Sequence, residues 1–223
     1  MLRMDPMRTR DLLEQPESGM GYQIVEVVTA DYKTKRGVVY NAELLLFEEE
    51  PRTMLKAAGF ARLLAEAQSS LGEIRTLRVL SRATAVQQTE AMKEPAASYG
   101  QKTRPAKDSP LGKTKAGEVF KRFSAFENDR RIGPDGSLLP GTYATTEKDA
   151  ENVKTGKEAV ARYALADPQP ASYRFTIKPH KDTVVQCGIV EPAYGQPGGG
   201  VEVLFTEGTH SKTVTGPDKI PGE

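Results

Sequence analysis

Residues 194–205, YGQPGGGVEVLF, constrain this chain more than any other stretch. Three consecutive glycines let a backbone reach positive φ and approach a neighbour closely, at an entropic cost that a plain loop has no reason to carry. The residues that follow alternate, with Val201, Val203 and Phe205 on one face and Glu202 and Leu204 on the other, which is the pattern of a strand. A glycine turn that feeds a strand excludes two familiar phosphate loops. No Gly-Lys-Ser/Thr follows, so it is not a P-loop, and no helix follows, so it is not a dinucleotide fingerprint. A wide hairpin turn or bulge accounts for the glycines equally well.

The turn is also the best place in the chain to look for chemistry. Glu202 projects beside it, next to Leu204, and a carboxylate in such a cleft has its pKa raised by desolvation unless a cation offsets the burial. Gln196 offers a donor and an acceptor at the same rim. Tyr194, Gly198, Gly199 and Gly200 complete the candidate wall. Arg130 and Arg131 precede another turn at Ile132-Gly133, and arginine pairs in a bidentate way with phosphate or carboxylate. Thr142 and Tyr143 lie on a short strand that leads to Thr145 and Thr146, where a helix start attracts anions. Solvated charge and simple capping explain the arginines and threonines as well.

The chain as a whole divides into three parts. Residues 1–86 read as a small N-terminal α+β unit of β-β-α-β order. Two β-rich runs, residues 21–29 and 37–47, flank a polar connection and predict a hairpin. A helix is expected over residues 53–68 and an alternating strand over 74–80. Residues 87–113 carry Pro95, Pro105, Pro110 and many charges with almost no apolar periodicity, and read as a polar linker. Residues 114–223 read as an α+β domain on a mostly antiparallel sheet with a few helices. Thr114 is placed to cap a helix with Val119, Phe120, Phe123 and Phe126 on one face. Thr146 and Thr155 are placed to cap two more helices, and residues 172–178 and 183–190 read as strands. Gly216-Pro217 reads as a turn in a last, weaker segment.

Charge and composition remove several classes of function. The net charge of +1 gives no footprint for nucleic acid, and aromatic residues at 7% offer little surface for base stacking. No apolar run approaches a bilayer span. The N-terminus has no apolar core of a secretory signal. The single Cys187 permits no intrachain disulfide and suggests a reducing compartment, so the expected setting is cytoplasmic, or the cytosol of a target cell reached without a classical signal. Cys187 sits in an apolar run and reads as buried and inert. His180 and His210 lack the spacing of a zinc site, there is no Gly-x-Ser-x-Gly elbow, and no metal is expected.

Four short motifs carry a resemblance. They are Arg130-Arg131-Ile132-Gly133, then Leu139-Pro140-Gly141-Thr142, then Ile177-Lys178-Pro179, then Pro192-Ala193-Tyr194-Gly195-Gln196-Pro197-Gly198-Gly199-Gly200 with Val201-Glu202 behind. In order and rough spacing the C-terminal half resembles the NAD glycohydrolase domain of the tuberculosis necrotizing toxin family, itself similar in core shape to ADP-ribosyltransferases. The resemblance implies NAD as substrate, Arg131 on its phosphates and Glu202 near the nicotinamide ribose. A cognate immunity protein or a target protein is the partner it implies. The family's glutamine is Glu202 here, closer to the glutamate of ADP-ribosyltransferases. Ser172 and Leu138 stand nearest to where the family has its aromatic and histidine partners. A non-catalytic module that binds a protein or a nucleotide is the competing class.

Overall fold

The computed structural model describes residues 1–48, 59–80, 105–166 and 169–223. In chain order the N-terminal elements are β1 (Leu2–Arg3), α1 (Pro6–Leu13), β2 (Tyr22–Thr29), β3 (Thr34–Tyr40), β4 (Leu44–Phe47), α2 (Phe60–Glu66), β5 (Gln68–Ser69) and β6 (Ile74–Leu80). Their strands form one sheet in the order β5-β1-β4-β3-β2-β6. All its pairs are antiparallel except β1 with β5. The expected hairpin is present, with Tyr22 opposite Tyr40 and Val28 opposite Thr34.

Two details differ from the sequence expectation. Thr34, Lys35 and Arg36, expected as polar loop, belong to β3. The run 37–47 is not one strand: Asn41 and Ala42 adopt φ of 52° and 53° and turn β3 back into β4. Asparagine tolerates this left-handed region better than most residues. Of the expected helix, residues 53–58 lie outside the described residues; α2 starts at Phe60, and Gln68 belongs to β5.

The C-terminal half is α+β, as expected. A single 3-10 turn (Ala106–Asp108) leads to β7 (Leu111–Lys113), β8 (Phe120–Ser124), β9 (Thr142–Thr146), α3 (Glu147–Ala150), α4 (Gly156–Arg162), β10 (Tyr173–Ile177), β11 (Val184–Ile189), β12 (Val201–Phe205) and β13 (Val214–Lys219). The strand order is β13-β10-β8-β9-β12-β11-β7, antiparallel throughout. Thr146 caps α3 through the Asp149 N–H, and Thr155 with Glu158 forms a reciprocal capping box on α4. Of residues 105–113, assigned to the linker from sequence, Leu111–Lys113 instead join this sheet as β7, paired with β11. Gly216 and Pro217 lie inside β13 and not in a turn beyond it.

The helix expected after Thr114 is strand β8, and three phenylalanines explain why. Phe120 packs into one core with Ile177, Val203 and Phe205. Phe123 joins a second core with Tyr163, Val160 and Leu204. Phe126 joins a third, with Tyr22, Tyr40 and Leu46 of the N-terminal sheet. Their three-residue spacing imitates a helix face, yet the first two sit on opposite faces of a strand, whose period is two. Each buried aromatic contributes about 2–3 kcal/mol. Phe126 and Ala166 carry the N-terminal sheet on the C-terminal half, and the Tyr40 hydroxyl donates to the Ala166 carbonyl at 3.3 Å.

Candidate functional site

The glycine turn connects β11 to β12 and is held from both sides. Tyr194 and Gly195 adopt φ of 55° and 75° and close a tight reversal between Ala193 and Gln196. The Gln196 N–H donates to the Ala193 carbonyl at 2.8 Å. Beyond it, the Gly198 and Gly200 N–H groups donate to the Ala161 and Arg162 carbonyls, each at 3.1 Å. These carbonyls belong to the last turn of α4, which has no partner for them within the helix. The triple glycine therefore ends a helix. A Cβ on Gly200 would lie 2.7 Å from the Tyr163 ring, and one on Gly198 would lie 2.6 Å from the Val190 carbonyl oxygen.

Glu202 sits in the middle of β12 and is buried, on the same face as Leu204 and toward the α4 core. Its Oε1 accepts the Ala106 N–H at 2.7 Å. The turn at Ala106–Asp108 is pinned further by Gln186, whose Nε2 donates to the Lys107 carbonyl at 3.1 Å. Burial and a short hydrogen bond hold this carboxylate in one place. A second carboxylate, Asp149, is buried close to the glycine turn's support. It accepts from Arg162 Nε at 3.0 Å, Arg162 Nη2 at 2.6 Å and the Tyr163 hydroxyl at 3.1 Å. Burial, with the Asp149 charge added to it, pushes the Tyr163 phenol well above its ordinary value, so it stays a donor.

Arg131 is placed elsewhere. It is buried, and its guanidinium donates to Thr142 Oγ1 at 3.2 Å, the Leu13 carbonyl at 3.1 Å, the Gln15 carbonyl at 3.0 Å and the Pro140 carbonyl. Burial pulls its pKa below the ordinary arginine value, but it remains far from losing its proton. Its neighbour in the core is Arg122, fully buried between Glu17 and Asp129. The hollow that Arg131 lines is shared with Glu17, Arg122 and Asp129 and not with Glu202 or Gln196, and at about 10 Å³ it holds one water at most.

The remaining predicted residues divide between these places. Thr142 and Tyr143 are buried on β9 beside Arg131; Thr142 Oγ1 donates to the Leu139 carbonyl at 2.6 Å, and the Tyr143 N–H donates to Glu17 at 3.0 Å. Arg130 bonds Glu43, in the turn between β3 and β4. Tyr194 stands edge-on to Tyr22, with ring centroids 5.3 Å apart. Gln196 is partly exposed on the turn. Glu202 and the glycines thus share a neighbourhood with α4, while Arg130 and Arg131 face the N-terminal half. Cys187, expected to be buried, is exposed on β11, although partial desolvation raises its thiol pKa.

Sequence reading missed Arg122, Asp129, Asp149 and Tyr163. Arg122 had a partial signal: a charge flanked by Phe120 and Phe123, seven residues before Asp129. Glu17 had none, because its partner lies 105 residues away.

No protein-family model matches the chain, and no curated protein matches it either. Among solved structures, that of Tne2 in complex with Tni2 aligns with 56% of this chain and all of its own, at a TM-score of 0.38 and 15% identity. A likeness at that level leaves this chain's own residues to carry its function.

Proposed function

We propose that this protein cleaves the nicotinamide–ribose bond of NAD, as a glycohydrolase or an ADP-ribosyltransferase, in the manner of an effector toxin. The observation that supports this most is Glu202: a buried carboxylate on a rigid strand, two residues past a glycine turn whose shape is held by hydrogen bonds. Cleavage passes through an oxocarbenium-like state, and a fixed anion beside the ribose stabilises that charge. Gln196 at the turn's rim orients the nicotinamide end. Substrate reaches Glu202 once the turn at Ala106–Asp108 lifts from it, since the Ala106 N–H now occupies the carboxylate. Arg131 can hold the pyrophosphate only after the backbone at Leu13 and Gln15 leaves its guanidinium.

Two observations favour a second reading. In the described conformation Arg131 is taken up by backbone carbonyls, and the glycine turn terminates α4. Both fit a non-catalytic module whose turn serves architecture. The two readings separate when the full chain is incubated with NAD and the products are resolved by chromatography, beside Glu202→Gln and Arg131→Ala. Release of nicotinamide that slows in the Glu202→Gln variant supports the enzyme, and the fate of the ADP-ribose names the reaction. Intact NAD, with and without candidate acceptor proteins, ends the enzymatic reading.

A further inference from the structure

A second concave site lies against the N-terminal helix. A hollow of about 330 Å³ opens between α1, the end of β1 and the turn that carries Arg130. That volume lies within the range of small-molecule sites. Three arginines from separate parts of the chain line it: Arg3, Arg10 and Arg130. Glu43 is the single acidic residue among the lining, which leaves a formal charge of +2 for the three arginines and one glutamate.

The charges are not evenly engaged. Glu43 already accepts from Arg130 and from Asn41 Nδ2, the latter at 2.9 Å. Arg8, on the same helix, is folded inward onto Asp5 and the Ile74 carbonyl. Arg10 is 72% exposed and, among the described residues, pairs with the Asp11 carboxylate at 3.8 Å, a surface pair that contributes little. Arg3 is exposed as well. Leu13, Pro6 and Met4 supply an apolar wall beneath them. Three guanidinium side chains on one hollow, offset by a single carboxylate, leave it net positive, and an anion with several oxygens matches their forked donors.

We propose that this hollow binds the phosphate group of a small phosphorylated metabolite, with Arg3 and Arg10 at the rim, Arg130 at the base and the apolar wall against the ligand's body. Its lining contains none of Glu202, Gln196 or Tyr194, so the site stands whether or not the chain consumes NAD.

The test is a calorimetric titration of the full chain with inorganic pyrophosphate and with ribose 5-phosphate. It is run beside Arg3→Ala/Arg10→Ala and, as a reference elsewhere on the surface, Lys178→Ala/Lys181→Ala. Both arginines are exposed, so the first variant folds, which circular dichroism verifies. Wild type and the lysine variant are expected to bind both probes alike, and the arginine variant to bind about ten-fold more weakly or worse. The proposal is overturned if wild type binds neither probe at millimolar concentration. It is also overturned if both variants weaken equally, because the binding is then diffuse charge. Binding to anionic lipid vesicles, lost in the arginine variant while soluble phosphates fail to bind, would likewise sink the small-molecule assignment.

Discussion

Glu17 and Arg122 meet as a two-pronged ion pair inside the protein, with Nη1–Oε2 at 2.9 Å and Nη2–Oε1 at 2.8 Å. Both side chains are shut off from solvent, and Asp129 grips the remaining edge of the same guanidinium. The pair ties the segment ahead of β2 to the β8–β9 layer. Removing one partner strands the other in a medium that solvates charge poorly. Glu17→Ala is therefore expected to lower the unfolding free energy by about 3–5 kcal/mol, with Glu17→Gln recovering part of the loss. Urea melts measure this. A change below about 1 kcal/mol for Glu17→Ala would show that Asp129 alone satisfies Arg122.

The glycine turn predicts a contrast between two positions. Gly200 is pressed against Tyr163 and Arg162, whereas a Cβ on Gly195 meets nothing within 4 Å. Gly200→Ala forces the α4 end away and is expected to destabilise by about 1–3 kcal/mol. Gly195→Asn keeps the left-handed conformation at φ 75° and is expected to change stability by about 0.5 kcal/mol or less. Thermal denaturation of the two variants checks the order. Equal losses would mean that the left-handed backbone at Gly195 costs an asparagine as much as the contact with α4 costs an alanine at Gly200, whose own φ is not left-handed.

Acid sensitivity has a local source at the N-terminus. Burial pushes the Asp5 carboxyl up, but hydrogen bonds from Ser70 and Arg8 and the Arg8 charge outweigh it and hold the pKa at about 2. An unfolded aspartate titrates near ~3.9. The folded value is the lower one, so this stabilisation is complete above the unfolded pKa and fades as pH falls through 4 toward 2. Its size is about 2–3 kcal/mol. Asp5→Asn keeps a capping side chain for the Met7 and Arg8 N–H groups while it loses the charge. The stability gap between wild type and Asp5→Asn should narrow markedly from pH 7 to pH 2.5. A gap of the same size at both values would rule out this carboxyl as the source.

Much of the secondary structure was legible because it rests on short-range rules. Strands β10 and β12 follow from alternation and β11 from an apolar run, and the starts of α3 and α4 follow from Thr146 and from Thr155 with Glu158. These signals need only a residue and its neighbours along the chain. The face on which Glu202 lies was legible for the same reason, since a strand's period is two.

Tertiary structure decided the rest. Whether Phe120, Phe123 and Phe126 form one helix face or enter three cores depends on what packs around them. Whether Arg131 faces a ligand or the carbonyls of Leu13 and Gln15 depends on a segment more than a hundred residues earlier. Residues 105–113 have the composition of a linker, yet the Ala106 N–H caps Glu202 and β7 closes the sheet. Sequence alone fixes the donors, acceptors and apolar periods that a chain can offer. Which partners they take is settled only when folding brings distant segments together, because a buried polar group takes whichever donor or acceptor reaches it.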